Sequence, residues 1–413
     1  MLCCGMTPNR ICGKIRQELE HGPLAEQVVP YVAALRRQQY ANATIVNHQL
    51  VLGGFSLWLR RVKCDVRQID ERIVDRFMIQ HRGLPNNAHA ALRAMLRQLR
   101  QAGLATPAKA VERSPAQCVA QEYREYLRGQ RGMAEKTTSN YADIVERFLM
   151  RCFKAGPVDL RVLQPADLVS EVKRALRRYS SGTIQLVTIA LRSFLRYLRY
   201  RGQIEVDLAS AVPHSARWEL RGLPRYLPAA DVRRMLEHCE CATALGRRNY
   251  AMLLLLAQLG LRASELLALT LEDLDWVNGC LRVRSAKGGP EVWTPLPQEA
   301  GAALATYLRD GRPACDCRQV FIRGMAPYVG LSRAGDVSNL VREALDRAAI
   351  KSRCRGAHVL RHSLATEMQR QGASLNEIGE MLRHRAVEST RRYAKVDVEA
   401  LRALALPWPG GAL

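Results

Sequence analysis

The stretch His358-Val-Leu-Arg-His-Ser-Leu-Ala-Thr366 places a histidine and an arginine three positions apart. Residues three apart on an α-helix share one face, so we predict that the side chains of His358 and Arg361 lie together. The same pair is equally typical of a helix whose polar groups bond to nearby backbone. The stretch alone indicates a helix, and its function depends on the rest of the chain.

Three further segments of the second half carry residues suited to binding phosphate. They are Gly260-Leu-Arg-Ala-Ser-Glu265, Ser285-Ala-Lys-Gly-Gly289 and Leu382-Arg-His384. Arg262 opens a helix directly after a buried one, and Lys287 lies at the tip of a predicted hairpin. Tyr393 follows His384 by nine positions. Each residue by itself also fits a solvated surface or a packing role, so only the ordered combination is specific.

The charge of the chain indicates a polyanionic partner. Lys and Arg number 62 against 39 Asp and Glu, which gives a net charge of +23. Residues 1–200 carry +16 of this charge and residues 201–413 carry +7. Nucleic acid is the simplest partner for such an excess. A membrane surface is less well supported, because the basic residues are spread over many predicted helices rather than one amphipathic segment.

Other features bound the class of protein. No apolar run reaches membrane-spanning length, and the first residues lack a secretory signal, so we expect a cytoplasmic protein. The 12 cysteines form no matched C-x-x-C pairs, which favours free buried thiols over zinc. No acidic triad suited to a two-metal nuclease stands out in the second half. We therefore predict neither metal nor cofactor.

A length of 413 residues predicts two or three domains. We divide the chain into a tail at 1–24, a helical module at 25–105, a second helical module at 115–202, a linker at 203–227, a further domain at 228–400 and a tail at 401–413.

The two helical modules resemble each other. The matching segments are Leu35-Arg-Arg-Gln38 and Leu127-Arg-Gly-Gln130, then Thr44, Asn47 and Phe55 with Thr137, Asn140 and Phe148, and Asp65-Val-Arg-Gln-Ile69 with Asp159-Leu-Arg-Val-Leu163. Because order and spacing are kept, we interpret them as two copies of one module. Chance similarity between helices rich in Leu and Arg is the alternative.

The fold class predicted by these patterns is mainly α. Apolar residues at helical spacing predict helices over 30–39, 42–61, 145–153, 184–200, 231–239 and 247–259. Ser374-Leu-Asn-Glu377 fits a capping box. Short strand-like segments at 274–276, 281–283 and 292–294 predict one small antiparallel sheet within the helical domain.

Taken in order, the candidate residues resemble the signature of the tyrosine recombinase (phage integrase) family. They are Arg262, Lys287, His358, Arg361, His384 and Tyr393. The resemblance covers about 115–400 and implies a core-binding (SAM-like) DNA-binding domain followed by a catalytic domain. Module 25–105 lies outside this two-domain pattern, and we interpret it as an additional DNA-binding domain, either core-binding-like or arm-site. The chain departs from the family at Arg383, usually glycine, and in a less basic hairpin around Lys287.

The residue types suit transesterification of a phosphodiester. A phenol has a pKa near 10, so Tyr393 needs cationic neighbours and a base, a role that fits His358. The planar guanidiniums of Arg262 and Arg361 suit two phosphate oxygens. His384 would donate a hydrogen bond to a nonbridging oxygen, and Lys287 would protonate the leaving group.

The resemblance also implies partners. Family members act as homotetramers on two synapsed double-stranded DNA sites, with no metal or ATP, and accessory recombinases or DNA-bending proteins are further partners. It implies a site-specific recombinase or integrase of a mobile element, acting at the bacterial nucleoid, with integration, excision and transposition all open. The segment 396–406 is predicted to be a helix that docks on a neighbouring subunit or on its own domain. The alternatives are a type IB topoisomerase and a catalytically idle DNA-binding protein on the same scaffold.

Overall fold

The computed structural model describes residues 13–81, 83–107, 113–154, 156–213, 226–284, 291–384 and 390. The chain divides into two compact units, Ala110–Glu219 and a second that combines Met1–Lys109 with Leu220–Leu413. The three largest hydrophobic cores of the described parts lie within 24–105, 116–212 and 227–360. The chain is mainly helical with one small antiparallel sheet, so the predicted fold class is confirmed. Among the helices described, none is long and apolar enough to span a bilayer.

The N-terminal part consists of helices joined by short turns. They are α1 (Gly13–His21), α2 (Ala25–Arg37), α3 (Asn42–Arg61), α4 (Glu71–Gln80) and α5 (Ala88–Gln101), with a 3-10 turn at Val66–Gln68. We predicted a tail over residues 1–24, but Gly13–His21 form helix α1, which has its own buried contacts. The buried carboxylate of Glu18 accepts a hydrogen bond from Ser56 Oγ at 3.5 Å and pairs with Arg60. Helix α2 starts five residues before the predicted Pro30, since Val28 in its first turn belongs to the core.

The unit Ala110–Glu219 repeats this order of elements. It contains α6 (Pro115–Gly129), α7 (Glu135–Phe153), a 3-10 turn at Leu160–Val162, α8 (Pro165–Arg178) and α9 (Ser181–Tyr200). The starts of α6 to α9 follow those of α2 to α5 by 90 to 94 positions. Both 3-10 turns have an aspartate cap: Asp65 accepts from the Arg67 N–H at 2.7 Å, and Asp159 from the Arg161 N–H at 3.1 Å. The common order and caps support the internal duplication, while the domain boundaries stay a prediction.

The C-terminal part is helical around one sheet. Its helices are α10 (Ala229–Glu237), α11 (Ala244–Leu259), α12 (Ala263–Ala268), α13 (Gln298–Asp310), α14 (Ala334–Arg347), α15 (His358–Arg370) and α16 (Leu375–Met381). Its strands are β1 (Leu274–Asp275), β2 (Cys280–Val283) and β3 (Val292–Pro295), in the order β1-β2-β3. Helix α11 is buried on most sides and lies at the centre of this core, where it packs against α13 and α15.

The sheet follows the predicted strand segments closely. Leu281 pairs with Leu274 on one side and with Thr294 on the other, both antiparallel. The predicted capping box is also present, because Ser374 Oγ accepts from the Glu377 N–H at 3.2 Å and Glu377 accepts from the Ser374 N–H at 2.7 Å. The predicted C-terminal helix at 396–406 lies outside the described residues, as does 214–225 of the predicted linker.

The expectation of buried thiols is wrong for the described residues. Each of the cysteines among them is exposed or partly exposed. Cys118 is one example, because α6 turns Ala116, Ala120 and Tyr123 toward the core and leaves Cys118 on its outer face.

Candidate active site

A buried guanidinium lies at the centre of the candidate site. Arg361, on α15, is only 4% exposed. Its Nη1 donates to the carbonyl of Gly260 and its Nη2 to the carbonyl of Leu382. A charge removed from water needs such partners, and a carbonyl at the C-terminal end of a helix carries partial negative charge. Arg361 therefore joins the end of α11 to the segment that follows α16.

Gly260 allows this approach because of its backbone conformation. It ends α11 with φ +58, in the left-handed region that favours glycine. A Cβ there would lie 2.7 Å from Leu382 Cδ2 and 3.1 Å from Leu364 Cδ2. The glycine thus brings the chain close to Leu382 and turns it so that Arg262 can begin α12.

Arg262 is oriented by a buried carboxylate. Glu265, 2% exposed, accepts a hydrogen bond from the Arg262 backbone N–H at 2.9 Å and another from Arg262 Nη1. Arg262 Nη2 also donates to the carbonyl of Arg383 at 3.4 Å. The Arg262 side chain remains one-third exposed.

Arg383 takes the place where the family usually has glycine, and the structure explains the departure. Its φ is +54, the left-handed conformation in which a glycine costs least. Its guanidinium donates to Met381 O at 2.9 Å and Leu259 O at 3.0 Å, and lies 3.6 Å from Glu265. Burial lowers the pKa of Arg383, and the Glu265 carboxylate opposes that shift. These contacts offset the backbone strain.

His384 is held by its backbone and by its ring. Its N–H donates to Gly379 O at 2.8 Å, and a 2.7 Å hydrogen bond joins its Nδ1 to Thr390 Oγ1. Thr390 is 2% exposed, so this hydroxyl is fixed. The bond sets the orientation of the imidazole.

His358 and Arg361 both lie on α15, as predicted. His358 is the first residue of the helix and is exposed, with its ring centroid 6.5 Å from that of His362. Arg361 lies almost one turn further on and is buried. The helix therefore presents an imidazole at the surface beside a fixed positive charge.

The structure links the segments that carry Arg262, Arg361 and His384, and a fourth predicted residue, His358, lies on the helix of Arg361. Arg361 donates to the carbonyl of Gly260, two positions before Arg262, and to the carbonyl of Leu382, two positions before His384. His358 is the first residue of the same helix as Arg361. Lys287 and Tyr393 lie outside the described residues. Sequence reasoning missed Thr390, although a hydroxyl three positions before Tyr393 is a usable signal, and it treated Arg383 only as a departure.

The strands that flank Lys287 are anchored by a second buried carboxylate. Asp273, fully buried, pairs with Arg282 at 2.8 Å and Arg284 at 2.7 Å. Burial by itself would raise the pKa of Asp273, but the hydrogen bonds from the Thr270 backbone and from Arg282 outweigh it and lower that pKa. The base of the hairpin is therefore held by a charged network.

Comparisons with known proteins identify the class. Residues 225–400 match the phage integrase family model, and residues 120–202 match the phage integrase N-terminal SAM-like domain. The chain is 41% identical over 394 residues to the putative integrase/recombinase y4rA of Sinorhizobium fredii, covering 95% of this chain and 96% of that relative. It is 33% identical over 308 residues to the tyrosine recombinase XerD of Mycobacterium tuberculosis, covering 70% and 96% respectively.

A solved structure agrees at the level of the fold. The XerH site-specific recombinase bound to its palindromic difH substrate superposes with a TM-score of 0.55 at 19% identity, covering 88% of this chain and 96% of that one. The chain belongs to the phage integrase family and is a tyrosine-type site-specific recombinase. The resemblance found in the sequence is confirmed.

Gly260→Ala is expected to lower the free energy of unfolding by about 1–3 kcal/mol, because it combines a strained φ with a clash. Gly279→Ala is the matched control, since Gly279 has φ +61 but no atom within 4 Å of the added Cβ. Denaturant unfolding of both variants separates strain from crowding. Equal losses of unfolding free energy in the two variants would contradict the close approach of Gly260 to Leu382.

Thr390→Val is expected to slow strand cleavage about tenfold, because the variant keeps the shape of the side chain but removes the partner of His384 Nδ1. Thr390→Ser keeps the hydroxyl and should stay within about threefold of the natural chain. Cleavage rates at saturating DNA test this, and equal rates for the valine and serine variants would argue against the His384 contact.

Asp273→Asn is expected to lower the free energy of unfolding by about 1–3 kcal/mol at neutral pH. The folded pKa of Asp273 lies below its unfolded value of about 3.9, so its stabilisation is present above that pH and is lost as pH falls through the folded pKa. The difference in unfolding free energy between the natural chain and the variant should therefore disappear at low pH. Glu291→Gln removes the half-exposed partner of the same arginines and should cost about 0–1 kcal/mol. A gap that persists unchanged at low pH would exclude the charged network.

Proposed function

We propose that this recombinase cuts and rejoins DNA through a covalent 3′-phosphotyrosine at Tyr393. The observation that supports the proposal most is the link between Arg361, Arg262 and His384. One buried guanidinium holds the backbone beside both of the other residues. Two guanidiniums and an imidazole in one network match the demands of a phosphate whose charge must be neutralised.

The first step exchanges one phosphodiester bond for another. The phenolic oxygen of Tyr393 attacks the scissile phosphorus while His358 accepts the phenol proton. The bond from phosphorus to the 5′-oxygen breaks, and Lys287 supplies the proton that this oxygen needs. The products are a 3′-phosphotyrosyl strand and a free 5′-hydroxyl.

Charge stabilisation comes from side chains in this scheme. Arg262 offers planar donors to nonbridging oxygens, and the buried Arg361 adds a fixed positive charge. His384 donates to a nonbridging oxygen from the orientation that Thr390 fixes. The cations take the part that a metal ion plays in other phosphoryl transfers. Because every bond broken is replaced, no ATP is required.

Recombination follows when the hydroxyl of a second strand reverses the step. We propose that a homotetramer on two synapsed DNA sites carries this out, with accessory recombinases or DNA-bending proteins as further partners. The net charge of +23 supports a DNA partner, and the likeness to a putative integrase/recombinase supports integration or transposition of a mobile element. The SAM-like match supports residues 120–202 as a DNA-binding domain.

Tyr393→Phe is expected to abolish covalent protein–DNA adducts while leaving DNA affinity within about twofold, because only the nucleophilic oxygen is removed. The substrate is a nicked suicide duplex drawn from the genomic flanks of the gene, and adducts are detected after denaturation. Tyr200→Phe, at a 71% exposed tyrosine, is the control and should cleave normally. An adduct that survives Tyr393→Phe would remove Tyr393 from this role.

The same preparation separates recombination from simple relaxation. The natural chain should yield recombinant product from two copies of its site on one plasmid. Relaxation of a plasmid without such sites, and with no recombinant product, would assign type IB topoisomerase activity instead.

A further inference from the structure

A cluster of arginines surrounds a small cleft in the second helical module. The cleft lies among α7, α8 and α9 and has a volume of about 60 Å³. Its polar lining residues are Arg147, Arg151, Glu171, Arg174, Arg178 and Tyr179. We refer to it as the arginine cleft.

The arginine cleft has an excess of positive charge. Its one carboxylate, Glu171, is buried and is bound by Arg151, with Nε to Oε2 at 2.9 Å and a second bond from Nη2. The other arginines include Arg174 and Arg178, which lie four apart on α8. Like charges at this spacing destabilise a helix, so an anion in the cleft would offset their repulsion.

The first module shows that the fold does not need these arginines. By the repeat spacing, Trp58 on α3 stands where Arg151 stands on α7, and Phe77 and Gln80 on α4 match Glu171 and Arg174 on α8. There the rings of Trp58 and Phe77 pack edge to face at 5.6 Å, and Trp58 Nε1 donates to Gln80 at 2.8 Å. An aromatic contact in one copy is replaced by a charged cleft in the other. The Arg151–Glu171 pair takes the place of the two rings, whereas Arg174, in place of the hydrogen-bonding Gln80, adds a charge to the cleft.

We propose that the arginine cleft binds one phosphate group of the DNA backbone, an inference that rests on the proposed action on DNA. A single water needs about 10–15 Å³ of such volume, so the cleft has room for a group of several heavy atoms. Guanidiniums bind phosphate oxygens through paired N–H donors, and the Tyr179 hydroxyl is a further donor. Glu171 holds Arg151 in place without neutralising the cluster. Contacts to phosphate fix the register of a protein on the duplex, so the cleft would position the second module.

The test uses the full chain with Arg174→Gln and Arg178→Gln combined. Glutamine already occupies the place of Arg174 in the first module, so the fold should tolerate it. Affinity for a short duplex of arbitrary sequence is measured at increasing salt. Losing one phosphate contact should reduce the slope of log affinity against log salt by about 0.9. The control combines Arg128→Gln and Arg131→Gln, which remove the same charge from the exposed end of α6 and the turn after it, outside the cleft.

The expected result is a smaller slope for the cleft variant and a slope near that of the natural chain for the control. An unchanged slope, or equal reductions in both variants, would overturn the proposal. If the double variant unfolds, Arg178→Gln at the end of α8 serves instead, with an expected loss of affinity of about three- to tenfold. A further outcome is that inorganic phosphate stabilises the natural chain but not the variant, while the salt dependence of DNA affinity is the same in both. That result would assign the cleft to a free phosphate compound and contradict DNA binding. Adduct formation by the natural chain is scored separately, so failure here leaves the cleavage proposal intact.

Discussion

The buried guanidinium of Arg361 is the constraint on which the candidate site depends. A charge that is 4% exposed stabilises the fold only where fixed acceptors surround it. Here two acceptors are carbonyls from segments far apart in sequence, Gly260 and Leu382. Because these segments continue into Arg262 and His384, satisfying one buried charge also sets the positions of two candidate phosphate ligands.

A second network, around Glu265, supports the same arrangement. Glu265 binds Arg262 directly and lies near the guanidinium of Arg383. Arg383 bonds to the carbonyl of Leu259, one residue before Gly260. The replacement of the family's usual glycine thus adds a further link between the same two segments, while its positive φ is retained. The departure alters the support of the site rather than the candidate phosphate ligands.

The sequence predicted helices and their ends well where the stabilising contacts join residues that are close in sequence. The whole of α3, the Gly260 stop of α11 and the capping box at Ser374 follow from periodicity and caps. The first turns of α7 were missed because Glu135 to Asn140 is polar and gives no apolar period. Helix α1 was missed because it packs against the distant helix α3, with contacts such as the Arg60–Glu18 pair across 42 positions. The contacts of Arg383 depend on a distant partner, Leu259, whereas ordered motifs were enough to name Arg262, His358, Arg361 and His384 as candidates.

The claim that this network exists to neutralise a phosphate has one direct test. Arg262→Ala removes a partly exposed guanidinium and leaves the buried Arg361 contacts in place. Cleavage by this variant is compared on a normal duplex and on one whose scissile phosphate is a neutral methylphosphonate. We predict severe loss on the normal duplex and substantial recovery on the uncharged linkage, since no negative charge then needs a partner. Equal impairment on both duplexes would contradict the account.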